Sequence, residues 1–385
     1  MAREKLFSVG IIGGGPAGCT CGYFLKDFCN ITIFEYTFPL RTLLPTGGGR
    51  CNLAHSEFEL KELAKNYPRG EKFLYSVFSK FATSETLEMF EKMGIKTYCQ
   101  DDGRIFPVSD SAKDVRDKFL NTLDTVKFKK ERVLRVDRDQ NLKIVTDCGA
   151  YDFDKVIVAT GGHSGYNIAK YLGINVIEPK PSLTGFITKE DFSKLAGVSL
   201  KDVYSNNFGQ GDILFTHKGV SGPLIYKISS IKARDDFPYN LDFKITGEFD
   251  LQKYLNENPH KSISNLISEF VPKSFARFVL ESLKIGPYMK CSQINGKLRD
   301  SIYNKLMHFG CSVKGTVPDG ETVTSGGVDL NELNPKTMES KKVRNLYFIG
   351  EVVDIDGFCG GFNLQNCWST GYIAAQSIIE QAANI

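Results

Sequence analysis

What this sequence lacks narrows it before any motif is read. Its 385 residues carry a formal net charge of only +3, so no strong field argues for nucleic acid or a membrane surface as a partner. The basic clusters Lys127–Arg132 and Ser340–Arg344 are short and read as solvated faces. No apolar run reaches the ~18 residues that mark a membrane span. The apolar stretch near the N-terminus breaks at Gly13, so no secretory leader is expected. Ten cysteines are present without a CxxC pair or regular spacing, which signals neither a zinc site nor a redox pair. Reduced thiols in a cytoplasmic protein are the expectation. The five histidines, His55, His163, His217, His260 and His308, form no HExxH-like pattern, so no metal is expected. Internal repeats and low-complexity tracts are absent. Apolar content of 42% and charged content of 24% suit a folded protein of two or three domains.

What is present begins with VGIIGGGPAGCTCGYFL, from Val9 to Leu25. Gly13 to Gly18 fits G-x-G-x-x-G, with a β-prone run before it and a helical run after it. Gly13 permits a tight turn, Gly15 lets the backbone approach a pyrophosphate, and Gly18 lets the helix pack closely on the strand. Pro16 and Ala17 open the helix, whose N-terminal N–H groups and partial positive charge suit phosphate. A second β-rich stretch, ITIFE, ends in Glu35, 22 residues after Gly13. That is near the spacing of the acid that accepts ribose hydroxyls, and a carboxylate there repels a 2′-phosphate. The nucleotide expected is therefore the adenosine half of FAD or NAD.

The far end of the chain bears on which. Leu346–Ile349 reads as a strand followed by Gly350-Glu351, and Gly360-Gly361 precedes a long helical stretch, about 363 to 380. This second strand–glycine–helix unit offers another helix N-terminus to the ligand. A flavin ring carries partial negative charge at its pyrimidine end, which such a terminus stabilises. A simple NAD dehydrogenase needs no such unit.

Six blocks then occur in order: LLPTGGGRCNLAH (Leu43–His55), DGRIFPVSDSAKDV (Asp102–Val115), VIVATGG (Val156–Gly162), GDILFTHKGVSGP (Gly211–Pro223), VTSGGVDLNELNPKTMESK (Val323–Lys341) and GEVVDIDGFCGGFNLQNCWSTGY (Gly350–Tyr372). Together they resemble the HI0933-like family of bacterial flavoproteins, also called aminoacetone-oxidase-like or BaiN-like. The resemblance implies an α/β fold: a discontinuous Rossmann-like FAD-binding domain of the glutathione-reductase superfamily, with an inserted β-rich domain and a helical subdomain. The boundaries expected are 1–182 and 323–385 for the FAD domain, 183–249 and 310–322 for the β-rich domain, and 250–309 for the helical subdomain. It also implies that the Val133 backbone meets the adenine. The chain departs from the family in three places. The loop after Gly162 is shortened, Glu351 stands where many FAD enzymes use Asp, and Arg41-Thr42 occupies a stretch that usually holds lysine.

The remaining candidates follow from residue type. Gly49 ends a glycine run whose N–H groups can converge on an anion, and Arg50 adds a fixed positive fork; Arg50, Cys51 and Asn52 are expected to line the FAD pocket. The bland alternative for Arg50 is an ion pair with a structural carboxylate. Cys51 lacks a visible resolving partner, so a buried structural thiol is the expectation. Thr160-Gly161 ends a strand of the sheet, where open α/β sheets bind ligands. Gly350, Glu351, Gly361, Phe362, Asn363 and Leu364 make up the C-terminal contribution. His163 and His217 lie in motif-bearing loops, but no catalytic residue is identified. Trp368 and Phe362 are expected to pack rather than react.

Three functions remain in view. The first is an FAD-dependent oxidoreductase taking hydride from NAD(P)H or a small organic substrate, with NAD(P)H as a transient reductant because no second G-x-G-x-x-G exists. The second is an FAD protein with a structural or redox-sensing role, or one acting on tRNA; the near-neutral charge argues against tRNA alone. The third is an NAD dehydrogenase without flavin.

Overall fold

A computed structural model describes residues 7–162, 164–245, 249–318, 320 and 322–383. The chain divides into two compact units, Met1–Lys180 with Val323–Ile385, and Pro181–Thr322.

The first unit opens with β1 (Ser8–Ile12), α1 (Pro16–Leu25) and β2 (Asn30–Phe34). Val9, Ile11 and Ile33 are wholly buried, as a parallel strand covered on both faces requires. A loop leads to β3 (Ala54–His55), then α2 (Leu60–Ala64), α3 (Glu71–Phe78), α4 (Thr83–Lys92) and the hairpin β4 (Thr97–Cys99) and β5 (Arg104–Pro107). Helix α5 (Ala112–Asn121) starts where Ser111 Oγ accepts from the Asp114 N–H at 3.2 Å, a side-chain cap on an otherwise unpaired donor. Strand β6 (Lys127–Lys129) is followed by β7 (Val133–Arg138), β8 (Leu142–Thr146), β9 (Ala150–Phe153), β10 (Lys155–Val158), α6 (Tyr166–Tyr171) and β11 (Val176–Ser182).

The second unit is a closed six-stranded barrel with helices. Its strands are β12 (Phe186–Thr188), β13 (Ser199–Ser205), β14 (Gly209–Phe215), β15 (Gly219–Ser221), β16 (Tyr239–Ile245) and β17 (Phe309–Thr316), closing in the order β12-β15-β14-β13-β16-β17. Helix α7 (Pro223–Ile231) interrupts a stretch that reads as strand-rich. Pro223 presets the first helical turn after Gly222, and Leu224, Ile225 and Ile228 fall on one buried face. Helices α8 (Leu251–Glu257), α9 (Ile263–Ile267), α10 (Lys273–Ser282) and α11 (Gly296–Met307) occupy the helical stretch. Their apolar faces share the barrel's core: Phe275 of α10 stacks on Phe215 of β14 at 5.8 Å and meets Phe309 of β17 at 5.3 Å.

The chain returns to the first unit through β18 (Val323–Val328), β19 (Leu346–Phe348) and α12 (Phe362–Ala383). The main sheet has the order β19-β10-β1-β2-β6 with every pairing parallel. Residues 126–160 read from sequence as a β-meander; strand β6, at the start of that stretch, instead pairs with β2 at the sheet edge. The meander is β7-β8-β9 alone. Helices α1 and α12 lie against each other because Gly371 has no side chain: a methyl group there would sit 2.7 Å from the Ala17 carbonyl oxygen.

Trp368 of α12 anchors the other face of that helix. It is wholly buried, its Nε1–H donates to the Leu53 carbonyl at 2.9 Å, and its ring meets Phe90 edge-on at 5.3 Å. Replacing it with Phe strands a buried carbonyl and leaves a void. Trp368→Phe is expected to lower stability by about 2 kcal/mol, measured by circular dichroism in denaturant because the substitution removes the chain's single tryptophan.

Candidate functional site

The glycine turn sits where the sheet's strands end. Gly13 has φ +106°, and a methyl group on it would lie 2.3 Å from the Ala159 carbonyl oxygen just after β10. At Gly18 it would lie 2.1 Å from the Gly13 carbonyl oxygen. Both positions are therefore closed to any side chain. Gly15 differs: its φ is −78° and its nearest neighbour in that direction is Thr42 Oγ1 at 3.9 Å. The space in front of Gly15 is open, as a cradle for a phosphate must be. The first intrahelical bond of α1 runs from the Cys19 N–H to the Gly15 oxygen at 2.9 Å. The N–H groups of Ala17 and Gly18 accordingly point out of the helix end, while Pro16 has none to offer.

Glu35 stands at the end of β2 beside this turn. Its Oε2 accepts from the Gly14 N–H at 2.9 Å, and its Oε1 accepts from the Thr37 N–H and Oγ1–H, each at 2.7 Å. A carboxylate has about four lone-pair sites, so these bonds fix its direction and leave acceptor capacity for ribose hydroxyls. The Glu35 N–H donates to the Lys129 oxygen at 2.9 Å, which draws in the end of β6. Val133 follows at the start of β7, the edge strand of the meander. Arg132 lies over the exposed Tyr36 ring at 5.2 Å.

The loop from 37 to 53 is tied to the same turn by the Leu40 N–H donating to the Gly14 oxygen at 2.8 Å. Gly47, Gly48 and Gly49 have φ of +57°, +69° and +89°, and Cys51 has +68°. The Cys51 side chain points into the core, and burial pushes its thiol up to about 12. Its contribution to a ligand is thus backbone, not thiolate. Arg50 lies over the Phe106 ring at 4.1 Å, and among the described residues no carboxylate is paired with it. The structural-carboxylate alternative for Arg50 is not what the structure shows. Asn52 bonds main chain on two sides. Its Nδ2 donates to the Ala54 and Ile105 oxygens at 3.0 and 3.2 Å, and its Oδ1 accepts from the Gly361 N–H at 3.0 Å. This is the one amide orientation that avoids facing acceptors with an acceptor. Asn52 clamps the loop to the double-glycine turn.

The C-terminal residues close the ring. Gly350 has φ +72°, and a methyl group there would come 2.7 Å from Ala17 Cβ. Glu351 Oε1 accepts from the Thr324 N–H at 2.9 Å and lies beside Gly162. Thr160 Oγ1 donates to the Ser164 oxygen at 2.7 Å and Gly161 has φ +75°, so both sit at the end of β10 by Gly13. Gly361 packs on Ala54, where a methyl group would meet the carbonyl oxygen at 2.5 Å. Asn363 pins the turn by accepting from the Gly357 N–H and donating to its oxygen, both at 2.8 Å. The first intrahelical bond of α12 is Gln365 N–H to Gly361 oxygen at 2.9 Å, leaving the Phe362, Asn363 and Leu364 N–H groups at the helix end. The loop before α12 is also held by Asp356, wholly buried, whose Oδ1 and Oδ2 take a two-pronged ion pair from Arg69.

Sequence reasoning missed Arg69, Asp356 and His55. The last has a buried Nδ1 with no hydrogen-bond partner, and only its place in the GGGRCNLAH block could have drawn attention to it. His163 lies outside the described residues. His217 sits at the exposed turn after β14, in the other unit.

Two helix ends with outward N–H groups, a carboxylate at the end of β2 and an open space before Gly15 fit a dinucleotide. Gly15→Ala isolates the ligand's share of this arrangement. The apo protein is expected to melt as the parent does, while FAD affinity falls at least ~10-fold, about 1.4 kcal/mol, by fluorescence titration. Gly18→Ala is expected to lower the melting temperature as well, because its methyl group meets backbone.

The HI0933-like protein Rossmann domain family matches residues 7–377. A ribosomal RNA dihydrouridine synthase of Escherichia coli (strain K12) is 31% identical, covering 97% of this chain and 98% of the relative. A 3-dehydro-bile acid delta(4,6)-reductase of Clostridium scindens is 27% identical, covering 97% of this chain and 99% of the relative. Among solved structures, the apo Sdh1 complex of Mycobacterium smegmatis has a TM-score of 0.52 at 13% identity, over 98% of this chain and 69% of that one; that likeness is one of fold. With the glycine turn at the end of β1, Glu35 at the end of β2 and Gly350 after β19 in one parallel sheet, the chain belongs to the HI0933-like family.

Proposed function

We propose that the protein is an FAD-dependent reductase of carbon–carbon double bonds conjugated to a carbonyl group, with uracil in ribosomal RNA as its substrate. The observation that carries this reading is the full-length similarity to two relatives whose names describe one chemistry. Dihydrouridine differs from uridine by two hydrogens across a double bond conjugated to a carbonyl. A delta(4,6)-reductase of a 3-dehydro bile acid removes double bonds conjugated to a 3-oxo group. In each case a hydride adds to a carbon conjugated with the carbonyl and a proton completes the saturation.

FAD supplies the two-electron hydride chemistry when bound. The chain's own residues do the rest. The Ala17 and Gly18 N–H groups hold the pyrophosphate, Glu35 the adenosine ribose, and Glu351 with Thr160 and Gly161 stands along the intervening chain. The N–H groups of Phe362, Asn363 and Leu364, with the positive end of α12, stabilise negative charge at the far end of the ligand. NAD(P)H serves as a transient reductant.

A free small-molecule dienone is the second reading, favoured by the near-neutral charge. The two separate in one experiment. FAD-loaded protein is reduced anaerobically with NADPH or NADH, then mixed either with in-vitro-transcribed ribosomal RNA or with a 3-oxo-4,6-diene steroid. Reoxidation by RNA, with a two-hydrogen mass gain on uridine, supports the RNA reading, and reoxidation by the steroid alone supports the second. If neither reoxidises the flavin, the conjugated-alkene reading is abandoned.

A further inference from the structure

The net charge of +3 is an average over unlike parts of the chain. Residues 251–309, from the start of α8 through α11, hold nine Lys or Arg against four Asp or Glu, a net +5, so the rest of the chain carries a net −2. Three of those four acids are already used. Glu269 pairs with Lys261, Glu281 with Lys194 at 3.3 Å and Asp300 with Arg299 at 2.6 Å. Among the described residues, Lys273, Arg277, Lys284 and Lys290 have no acidic partner, and all four are exposed.

These four follow one another along one stretch. Phe275, Ala276, Val279 and Leu280 bury one face of α10, which leaves Lys273 and Arg277, about one turn apart, together on the other. The helix closes with the Ile285 N–H donating to the Leu280 oxygen at 2.8 Å, and Lys284 has φ +58°, a position where glycine is usual. Beyond it, residues 289–291 run antiparallel to 261–263. The Ile263 N–H donates to the Met289 oxygen at 2.9 Å and the Cys291 N–H to the Lys261 oxygen at 3.0 Å, on either side of the bridge between Ser262 and Lys290. Side chains alternate across such a ribbon. Met289 packs on the barrel core and Cys291 is buried, so Tyr288 and Lys290 share the outer side, where Tyr288 is 77% exposed. The unit's own stability does not explain this placement. Lys273 opens α10, whose first turn holds no acid, at the end where the helix dipole favours one, and Tyr288 holds an aromatic ring in water.

We propose that this face of the second unit, Lys273, Arg277, Lys284 and Lys290 with Tyr288, is where the protein grips single-stranded RNA. The inference rests on the RNA reading above and gives that reading a surface. Phosphates lie against the cations, which span about 16 Å from Lys273 to Lys284 along the helix, and an unpaired base stacks on Tyr288. Cations along a track with an aromatic platform are what binds single strands through backbone charge and stacking, and unstacked loop bases are the ones a protein can reach in RNA. A free dienone is too small to meet cations spread over that length.

The test reads binding rather than turnover. FAD-loaded full-length protein is titrated into fluorescently labelled, in-vitro-transcribed ribosomal RNA over a range of salt. Each phosphate contact on a single strand contributes about 0.7 to the slope of log affinity against log salt. The triple variant Lys273→Gln, Arg277→Gln, Lys284→Gln is therefore expected to lose about 2 from that slope and more than ~10-fold in affinity at low salt. Tyr288→Ala is expected to keep the slope and bind about tenfold less tightly at every salt, while Tyr288→Phe binds as the parent does. A second triple variant, Lys61→Gln, Lys72→Gln, Lys80→Gln, removes the same charge from exposed positions of the first unit and is expected to keep the parent's slope. Equal slopes in the two triple variants, or a patch variant that binds as the parent does, overturns the surface and leaves the RNA reading standing. Patch-dependent binding of polyglutamate or phosphatidylglycerol vesicles that exceeds binding of RNA overturns it as well. A parent that binds no RNA at all defeats the RNA reading and the surface with it.

Discussion

Backbone-to-backbone contact at a few glycines is the constraint on which the rest of the structure depends. Gly13 against Ala159, Gly18 against Gly13 and Gly371 against Ala17 each bring two main chains to a separation that excludes a single methyl group. Through them the ends of β1 and β10 meet at the start of α1, and α12 packs on α1. Free main-chain donors at two helix ends then face the same region without any charged side chain to place them. The cost is conformational: glycine loses more freedom on folding than any other residue. That cost is offset by a core of fully buried branched and aromatic residues on both faces of the sheet, Ile11, Ile157, Phe348 and Trp368 among them.

A second layer of polar contacts holds the loops that those glycines free. Asn52, Asn363 and the Arg69–Asp356 pair all secure the segment between Asp354 and α12, and all act on backbone or on each other. Each is buried or half-buried, where a hydrogen bond left unmade is expensive. The site thus stands on a frame that its own polar contacts hold in place.

Much of this was legible in the sequence where the signal is local. The turn at Gly13–Gly18, Glu35 at the end of β2 and the strand–glycine–helix unit at Gly350–Gly361 are each specified by residues a few positions apart, and local pattern is enough to place them. What was not legible depends on distant partners. The bond from the Gly361 N–H to Asn52 joins positions more than 300 apart, and nothing local marks it. Strand β6 looks like a meander strand because its three residues carry no mark of the parallel partner β2. Helix α7 hides among strands because it is short and begins abruptly at Pro223. The stack of His55 on Phe362 likewise joins residues more than 300 positions apart.

The parallel sheet is assembled from segments on either side of the barrel unit, and this has a bearing on biosynthesis. The ribosome delivers β1 and α1 first and α12 only after the barrel, at roughly 5–20 residues per second. Until α12 emerges, the hydrophobic groove along α1 has no cover and the donors of the second helix end do not yet exist. The intervening unit, with its own closed barrel and core, is free to fold during that wait. Capture of a ligand that needs both helix ends is therefore a late event.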